Sequence, residues 1–426
     1  MRTKIYTTLF AVLLFNALFF SPNTNAQQTA SSDTITMSAG YANEVYYSMA
    51  NGTVLTSSRN TWDIAFRTAK MSSGIIINDG KDVVLYTYPN ADTSGWSTLD
   101  TNGLSAWPKM YNDPNDWENG AFSRNAKDHP DYGWAIYNSV THDLIGDSLF
   151  VIKLRDGSFR KLWIIKKHSA GATFTFRYAN LDGTNQKDTL LDFSGDKNFD
   201  YVGYSIQTNE RVDFQAPRAD WDILFTKYMS VQPNGSPYPV TGVLSHDSLK
   251  VKNFQPVDLS YSDWGVGSWD STRSSIGWNW KVFSNETFQY EIIDSSVYFI
   301  RAMNGDIYKL YFTSFAGSST GKISFMKERV AGVGIYEKPA NEMNVAVYPN
   351  PAKERIKLYI TGKSGEDLSV VLTDLSGRQL RADRPGRLAD GLNAFTFDVA
   401  GVQPGVYFVM VSAAATKSVT KVIIVN

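Results

Sequence analysis

The sequence feature that most narrows the fold is a segment that occurs twice. Residues 133–164 read GWAIYNSVTHDLIGDSLFVIKLRDGSFRKLWI, and residues 277–312 read GWNWKVFSNETFQYEIIDSSVYFIRAMNGDIYKLYF. Each copy opens on Gly-Trp, crosses a short polar break and enters an alternating apolar run: Leu149, Val151 and Leu154 in one, Val297 and Phe299 in the other. Asp156-Gly157 or Asn304-Gly305 follows, and then a second alternating run. Alternation of period two marks a half-buried strand. Asp-Gly or Asn-Gly between two such runs signals a hairpin, because a two-residue type I′ turn needs positive φ at both central positions. A β-hairpin closed by that turn is predicted in each copy.

A second mark is also shared. Trp62-Asp63-Ile64-Ala65-Phe66 and Trp221-Asp222-Ile223-Leu224-Phe225 precede the two hairpins, and Tyr47-Ser48-Met49 and Tyr204-Ser205-Ile206 precede those in turn. Two related domains in tandem, 27–193 and 194–330, follow from this order. An Asp retained in both copies argues a structural role, such as closing a bend. The remaining apolar runs, among them 83–88, 173–178 and 282–290, alternate in the same way, and no stretch has a helical period. The expected class is all-β, and an aromatic content of 14% suits cross-strand packing.

The stretch between the marks runs from Trp62 to Gly133 in the first copy and from Trp221 to Gly277 in the second, so the first is about 15 residues longer. Its extra length is loop-like but holds Trp96, Trp107, Met110, Tyr111, Trp117 and Phe122. A disordered loop does not carry three tryptophans. The insertion is therefore expected to be ordered, and to be the first place to look for a ligand.

The chain ends carry addresses. Arg2 and Lys4, an apolar run over residues 9–20 and Thr24-Asn25-Ala26 have the layout of a secretory signal, giving a signal peptide over 1–26. The run is shorter than the roughly 20 residues of a membrane span, so no span is expected in the mature chain. With no cysteine there is no disulfide framework, and a net charge of −1 offers no attraction to nucleic acid or anionic membrane. A linker over 331–344 precedes a module of short strand patterns at 345–426, which reads as a small β-sandwich.

That module opens on Tyr348-Pro349-Asn350-Pro351 and continues through Asp374-Leu375-Ser376-Gly377-Arg378, Pro404-Gly405-Val406-Tyr407 and a short basic-apolar terminus from Lys421. In these residues it resembles the type A C-terminal sorting domain of type IX secretion cargo. The resemblance implies export through the type IX machinery of a Bacteroidetes-type bacterium, removal of the module, and release or attachment to a surface glycolipid.

The two repeats carry another resemblance, to the HmuY family of secreted haem-binding proteins. It rests on the Trp-Asp-Ile-Ala-Phe strand, on Gly133-Trp134, Tyr137-Asn138 and Thr141-His142, and on the hairpin with Asp156-Gly157. In the second copy Phe283-Ser284 and Asn285-Glu286 stand where Tyr137-Asn138 and Thr141-His142 are read in the first. The resemblance implies an all-β domain that holds haem between loop tips, with His or Met side chains as axial ligands. Haem iron needs such ligands and an apolar wall. The expected ligands are His142 with His129 or Met110, and the expected wall is Trp96, Trp107, Tyr111 and Trp117. Met71 is a further alternative ligand. The second copy offers only His246 and Met229, so one site is expected rather than two.

Blander readings stand beside these. His142 could simply close its turn, and His129, before Pro130, could be a solvated loop residue. No Gly-x-Ser-x-Gly elbow occurs, and with four histidines and no cysteine there is no zinc pattern, so no enzyme is expected. The alternative function is a surface carbohydrate-binding or adhesive protein without haem, using loop tryptophans such as Trp96, Trp107, Trp117, Trp264 and Trp269.

Overall fold

The computed structural model describes residues 30–332 and 344–425, apart from 363–364, 376, 390 and 414–415. The expected signal peptide and most of the linker lie outside the described residues. The chain is all-β, and its helical turns are 3-10 segments of three to five residues.

In chain order the strands begin with β1 (Ser31–Thr36), β2 (Asn43–Ser48), β3 (Gly52–Ser58), β4 (Ile64–Arg67), β5 (Ile75–Ile77) and β6 (Val84–Thr87). After the insertion come β7 (Ala135–Tyr137), β8 (Leu144–Gly146), β9 (Phe150–Lys153), β10 (Phe159–His168), β11 (Thr173–Ala179) and β12 (Lys187–Asp192). The second copy holds β13 (Tyr201–Ser205), β14 (Glu210–Val212), β15 (Ile223–Val231), β16 (Pro237–Ser245) and β17 (Lys250–Phe254). It continues through β18 (Lys281–Ser284), β19 (Gln289–Ile292), β20 (Val297–Arg301), β21 (Ile307–Phe315) and β22 (Lys322–Ala331).

These strands build four main sheets. Their orders are β12-β11-β10-β8-β7, with β9 joining β10 to β6; β14-β13-β4-β5; β16-β15-β2-β3; and β1-β22-β21-β20-β17. Period-two alternation distributes the side chains between layers. On β4 and β5, Ile64, Phe66, Ile75 and Ile77 face the first core, while Ala65 and Ile76 face a central cluster. On β2 and β15, Val45, Tyr47, Ile223 and Phe225 face a further core, while Tyr46 and Leu224 face the same central cluster. The two middle sheets are thus buried on both sides, which is why their strands read as nearly continuous apolar runs.

The sheets do not divide at residue 193, where the sequence places the domain boundary. Strand β13 pairs with β4, Val202 opposite Phe66, and so completes the first core from beyond that point. Conversely β2 pairs with β15, Tyr47 opposite Ile223, and β1 with β22, Ile35 opposite Ile323. Each copy lends its opening Tyr-Ser strand to the other.

The two Trp-Asp marks fix this exchange. Asp63 is fully buried, and its Oδ2 accepts from the N–H groups of Ile206 and Gln207 (2.8 and 3.2 Å). Its Oδ1 takes the Arg155 Nε at 2.7 Å. In the same way Asp222 accepts from the Met49 N–H (2.7 Å) and the Met303 N–H (2.9 Å). Each aspartate therefore joins the hairpin turn of its own copy to the strand lent by the other.

The hairpins are present, but their turns differ from the expected type. Leu154 N–H donates to the Ser158 carbonyl, and only Gly157 in the loop has positive φ, at 84°. Gly305, at 86°, repeats this beside the Ala302 to Asp306 bond. These are three-residue loops ending in a left-handed glycine. The extra residue, Arg155 or Met303, is the one that reaches the buried aspartate.

The C-terminal module contains β23 (Asn344–Tyr348), β24 (Arg355–Gly362), β25 (Asp367–Thr373), β26 (Gln379–Arg387), β27 (Gly391–Asp398), β28 (Gly405–Ala413) and β29 (Thr416–Ile424). Sheets β23-β24-β27 and β26-β25-β28-β29 enclose a core that includes Ile356, Leu358, Leu372 and Val409. This is the small β-sandwich read from the sequence.

Candidate functional site

Two of the three exposed histidines of the first copy, His129 and His142, lie at the hairpin β7–β8. Asn138 and Asp143 close its end, with the Asn138 N–H donating to the Asp143 carbonyl and the His142 N–H to the Asn138 carbonyl (both 2.8 Å). Asn138 Oδ1 accepts from the N–H groups of Val140 and Thr141 (2.9 and 3.1 Å). This cap holds a four-residue loop, 139–142, whose last residue, His142, is left-handed at φ 59°. Non-glycine residues seldom adopt that conformation, although histidine is among those that do.

His142 Nδ1 lies 2.5 Å from the Tyr137 hydroxyl. Segment 128–132 folds back along the outer edge of β7, with Asp131 bridged to Ile136 and the Tyr137 N–H donating to the Pro130 carbonyl. That path sets the His129 imidazole against the Tyr137 ring, centroids 5.2 Å apart. His129 Nδ1 is 3.5 Å from the Tyr132 hydroxyl. Both imidazoles are exposed and flank one tyrosine, each with Nδ1 turned to a phenol, which leaves Nε2 as the nitrogen to offer a metal.

Behind the tip, the buried Asp143 points the other way. Although burial pushes its carboxyl up, hydrogen bonds from Lys166, His168 and the Ser169 N–H hold it down at about 2. It is an anchor for the hairpin and not part of the exposed face.

The other expected site residues lie elsewhere. Met110 is a core residue at 5% exposure, and its Sδ accepts from the Thr87 hydroxyl at 3.4 Å. It does not reach the histidines because its N–H donates to the Leu85 carbonyl, which pins the insertion to the sheet at that point. Trp96 is half-buried beneath Lys161, with its Nε1 donating to Gln186. Trp107 packs edge-on against Tyr88, and Tyr111 lies between two apolar clusters. Trp117 is buried in the central cluster, donating to the Ser245 carbonyl (2.8 Å) under the Arg273 guanidinium, 3.9 Å from its ring. The insertion is ordered by packing as expected, yet these aromatics form no common wall beside His129 and His142.

Sequence reading missed Tyr132, which has no motif to mark it. It also gave Met71 only a secondary place. That side chain is 86% exposed and borders an open cleft of about 400 Å³ lined by Arg67, Ser72, Glu118 and Tyr132. Through Tyr132 the cleft adjoins His129.

His246 belongs to a different setting. It is buried, its Nδ1 accepts from the Ser248 N–H (3.1 Å), and its Nε2 faces Asp200 at 3.3 Å. Asp200, His246 and Asp247 come within 4.8 Å of one another, as metal ligands could. However, Arg67 binds Asp247 at 2.7 Å and Arg218 approaches both carboxylates. Because Nδ1 already accepts an N–H, Nε2 carries the proton in the neutral ring. This donor set fits an ion-pair network tying the copies together and does not fit a metal.

No curated protein matches the chain. Among solved structures, PorZ, described as an essential bacterial surface component of the type-IX secretion system of Porphyromonas gingivalis, aligns at 12% identity and a TM-score of 0.16. The alignment covers 74% of this chain and 46% of that one, so the chain spans less than half of PorZ's length. A biofilm-associated protein BSP domain aligns at 10% identity and a TM-score of 0.19, covering 95% of this chain and 68% of its own. Escherichia coli alpha-2-macroglobulin activated by porcine elastase follows at 11%, with a TM-score of 0.15 and coverage of 93% and 44%. Similarity this low establishes neither a shared fold nor a shared role. Among the described residues no helix is long and apolar enough to cross a membrane. Residues 346–426 match the family described as "Secretion system C-terminal sorting domain", and the chain thus ends in a type IX sorting module, which marks it for export to the surface or the medium.

Proposed function

We propose that this exported protein binds one haem on the first copy, with His129 and His142 as axial ligands. The observation that carries the reading is the placement of both imidazoles around Tyr137, each with Nδ1 at a phenol and Nε2 available. Hydrogen bonds of this kind orient a ligating histidine and raise its basicity. Tyr132, Tyr137 and the exposed Val140 supply ring and aliphatic surface beside the iron position. Met71 is the alternative sulfur ligand from the adjoining cleft. Haem is the cargo in this reading, and no reaction is assigned to it.

Titration of haemin into the mature protein tests the proposal. A sharpened Soret band saturating at one equivalent is expected, with a low-spin spectrum. His142→Ala should weaken binding about 10- to 100-fold, the usual effect of disturbing a metal's ligand shell. Met110→Leu and His246→Ala should leave the spectrum as it is. An unchanged spectrum and affinity in the His129→Ala/His142→Ala double variant would remove these ligands.

A further inference from the structure

We propose that the hairpin β18–β19 of the second copy is a platform for the pyranose rings of an uncharged polysaccharide. Its tip has the same build as that of β7–β8. Ser284 and Gln289 pair across a four-residue loop, 285–288, and the last loop residue, Phe288, is left-handed at φ 53°. The Thr287 N–H bonds Ser284 Oγ as the Thr141 N–H bonds Asn138 Oδ1. Phe288 is therefore the counterpart of His142, and Phe283 that of Tyr137. This corrects the sequence pairing, which set Glu286 against His142; register is fixed by the paired strand ends, which a sequence string does not show.

The backbone of the tip is common to both copies while its chemistry differs. A phenylalanine at positive φ is unfavourable, and Phe288 is 77% exposed, so neither turn geometry nor packing calls for it. Phe283 and Tyr290, paired across the hairpin and also exposed, share one of its faces, while the exposed Val282 lies on the other. With Phe288 at the end of the loop, the hairpin presents three exposed aromatic rings of the kind that mark a binding surface.

Two of the rings, Phe283 and Tyr290, are held in place. Phe283 packs edge-on against Tyr290 (5.2 Å), Tyr290 against Phe315 (4.8 Å), and Phe315 against the buried Trp280 (5.7 Å). A surface already ordered loses little entropy on binding. The loop that ends on Phe288 exposes Asn285, Glu286 and Thr287 as well. The hairpin's one cation, Lys281, is buried and donates to the Thr241 and Trp278 carbonyls (2.6 and 3.2 Å).

An anionic ligand would meet Glu286 on the loop, and the hairpin exposes no cation to balance it. A sugar ring suits the exposed aromatics better: its C–H face meets the electron-rich face of an aromatic ring, and its hydroxyls donate to the carboxylate and amide on the loop.

Native gel electrophoresis of the full chain through soluble starch, xylan, galactomannan and yeast mannan tests this. Retardation in at least one gel is expected. Phe288→Asn, which tolerates positive φ, and Phe283→Ser should each weaken that binding by about tenfold or more at an unchanged melting temperature. His142→Ala should retain it. Equal mobility of wild type with and without all four polysaccharides would overturn the proposal, as would variants retarded like wild type or retention by anionic vesicles alone. Phe288→Asn should leave the Soret titration unchanged, so the haem reading and this one fail separately.

Discussion

Asp63 accepts two backbone N–H groups and one guanidinium while fully buried. Replacing it with alanine strands the Arg155 charge, and breaking a buried pair in this way costs about 3–5 kcal/mol. Urea unfolding of Asp63→Ala should show that loss, with Asp63→Asn in between because the amide oxygen can still accept. Asp79 supplies a pH dependence. Burial pushes its carboxyl up to about 6, against the opposing pull of Arg273 and the Asn112 N–H. The folded state therefore holds a proton that the unfolded state has released between about pH 4 and 6, so stability should fall as pH rises through that window. The contribution, about 3 kcal/mol, is fully present below the unfolded value and gone above 6. Burial also raises Glu44, which adds to the same slope. Melts from pH 4 to 7 should show Asp79→Asn flattening it. At this scale His142 was legible because Gly-Trp-x-x-Tyr-Asn-x-x-Thr-His is a local pattern, and His129 because it stands at the end of the aromatic insertion. Tyr132 and the burial of Met110 were not, since both depend on where a loop lies against a sheet.

At the scale of elements, the insertion contributes contacts between the copies more than a pocket. Asn115 accepts from the Arg273 N–H, and Trp117 sits between Tyr201, Trp221 and Arg273. Trp117→Ala should destabilise the protein by about 3–5 kcal/mol, as truncation of a buried aromatic usually does. Chemical denaturation should register this, while the haemin binding proposed for His129 and His142 should persist at low denaturant. The strands and hairpins were readable because period-two alternation and Asp-Gly or Asn-Gly punctuation are properties of a short window. The turn class was not. Its third loop residue is selected by a buried aspartate that is about 90 positions away in the first copy and about 80 in the second.

For the whole molecule, the exchange of opening strands makes the two copies one folding unit. Cleavage at a protease site inserted between residues 193 and 194 should leave the fragments associated and native under non-denaturing conditions. Expressed alone, neither half should melt cooperatively, because each lacks strands of its own core; two independent cooperative melts would refute this. Deletion of residues 421–426 should block passage out of the periplasm, since it removes much of β29 from the sorting module, and cell fractionation would detect the retained protein. By itself the sequence determined the β class, the duplication, the hairpins and the sorting module, all of which are written in local alternation or in contiguous motifs. Only the tertiary structure decided which strand completes which core, where the aromatic insertion packs and which tip residue matches His142. Those outcomes depend on pairing between segments up to about 290 residues apart, such as Ile35 with Ile323, and such pairing leaves no mark in either segment alone.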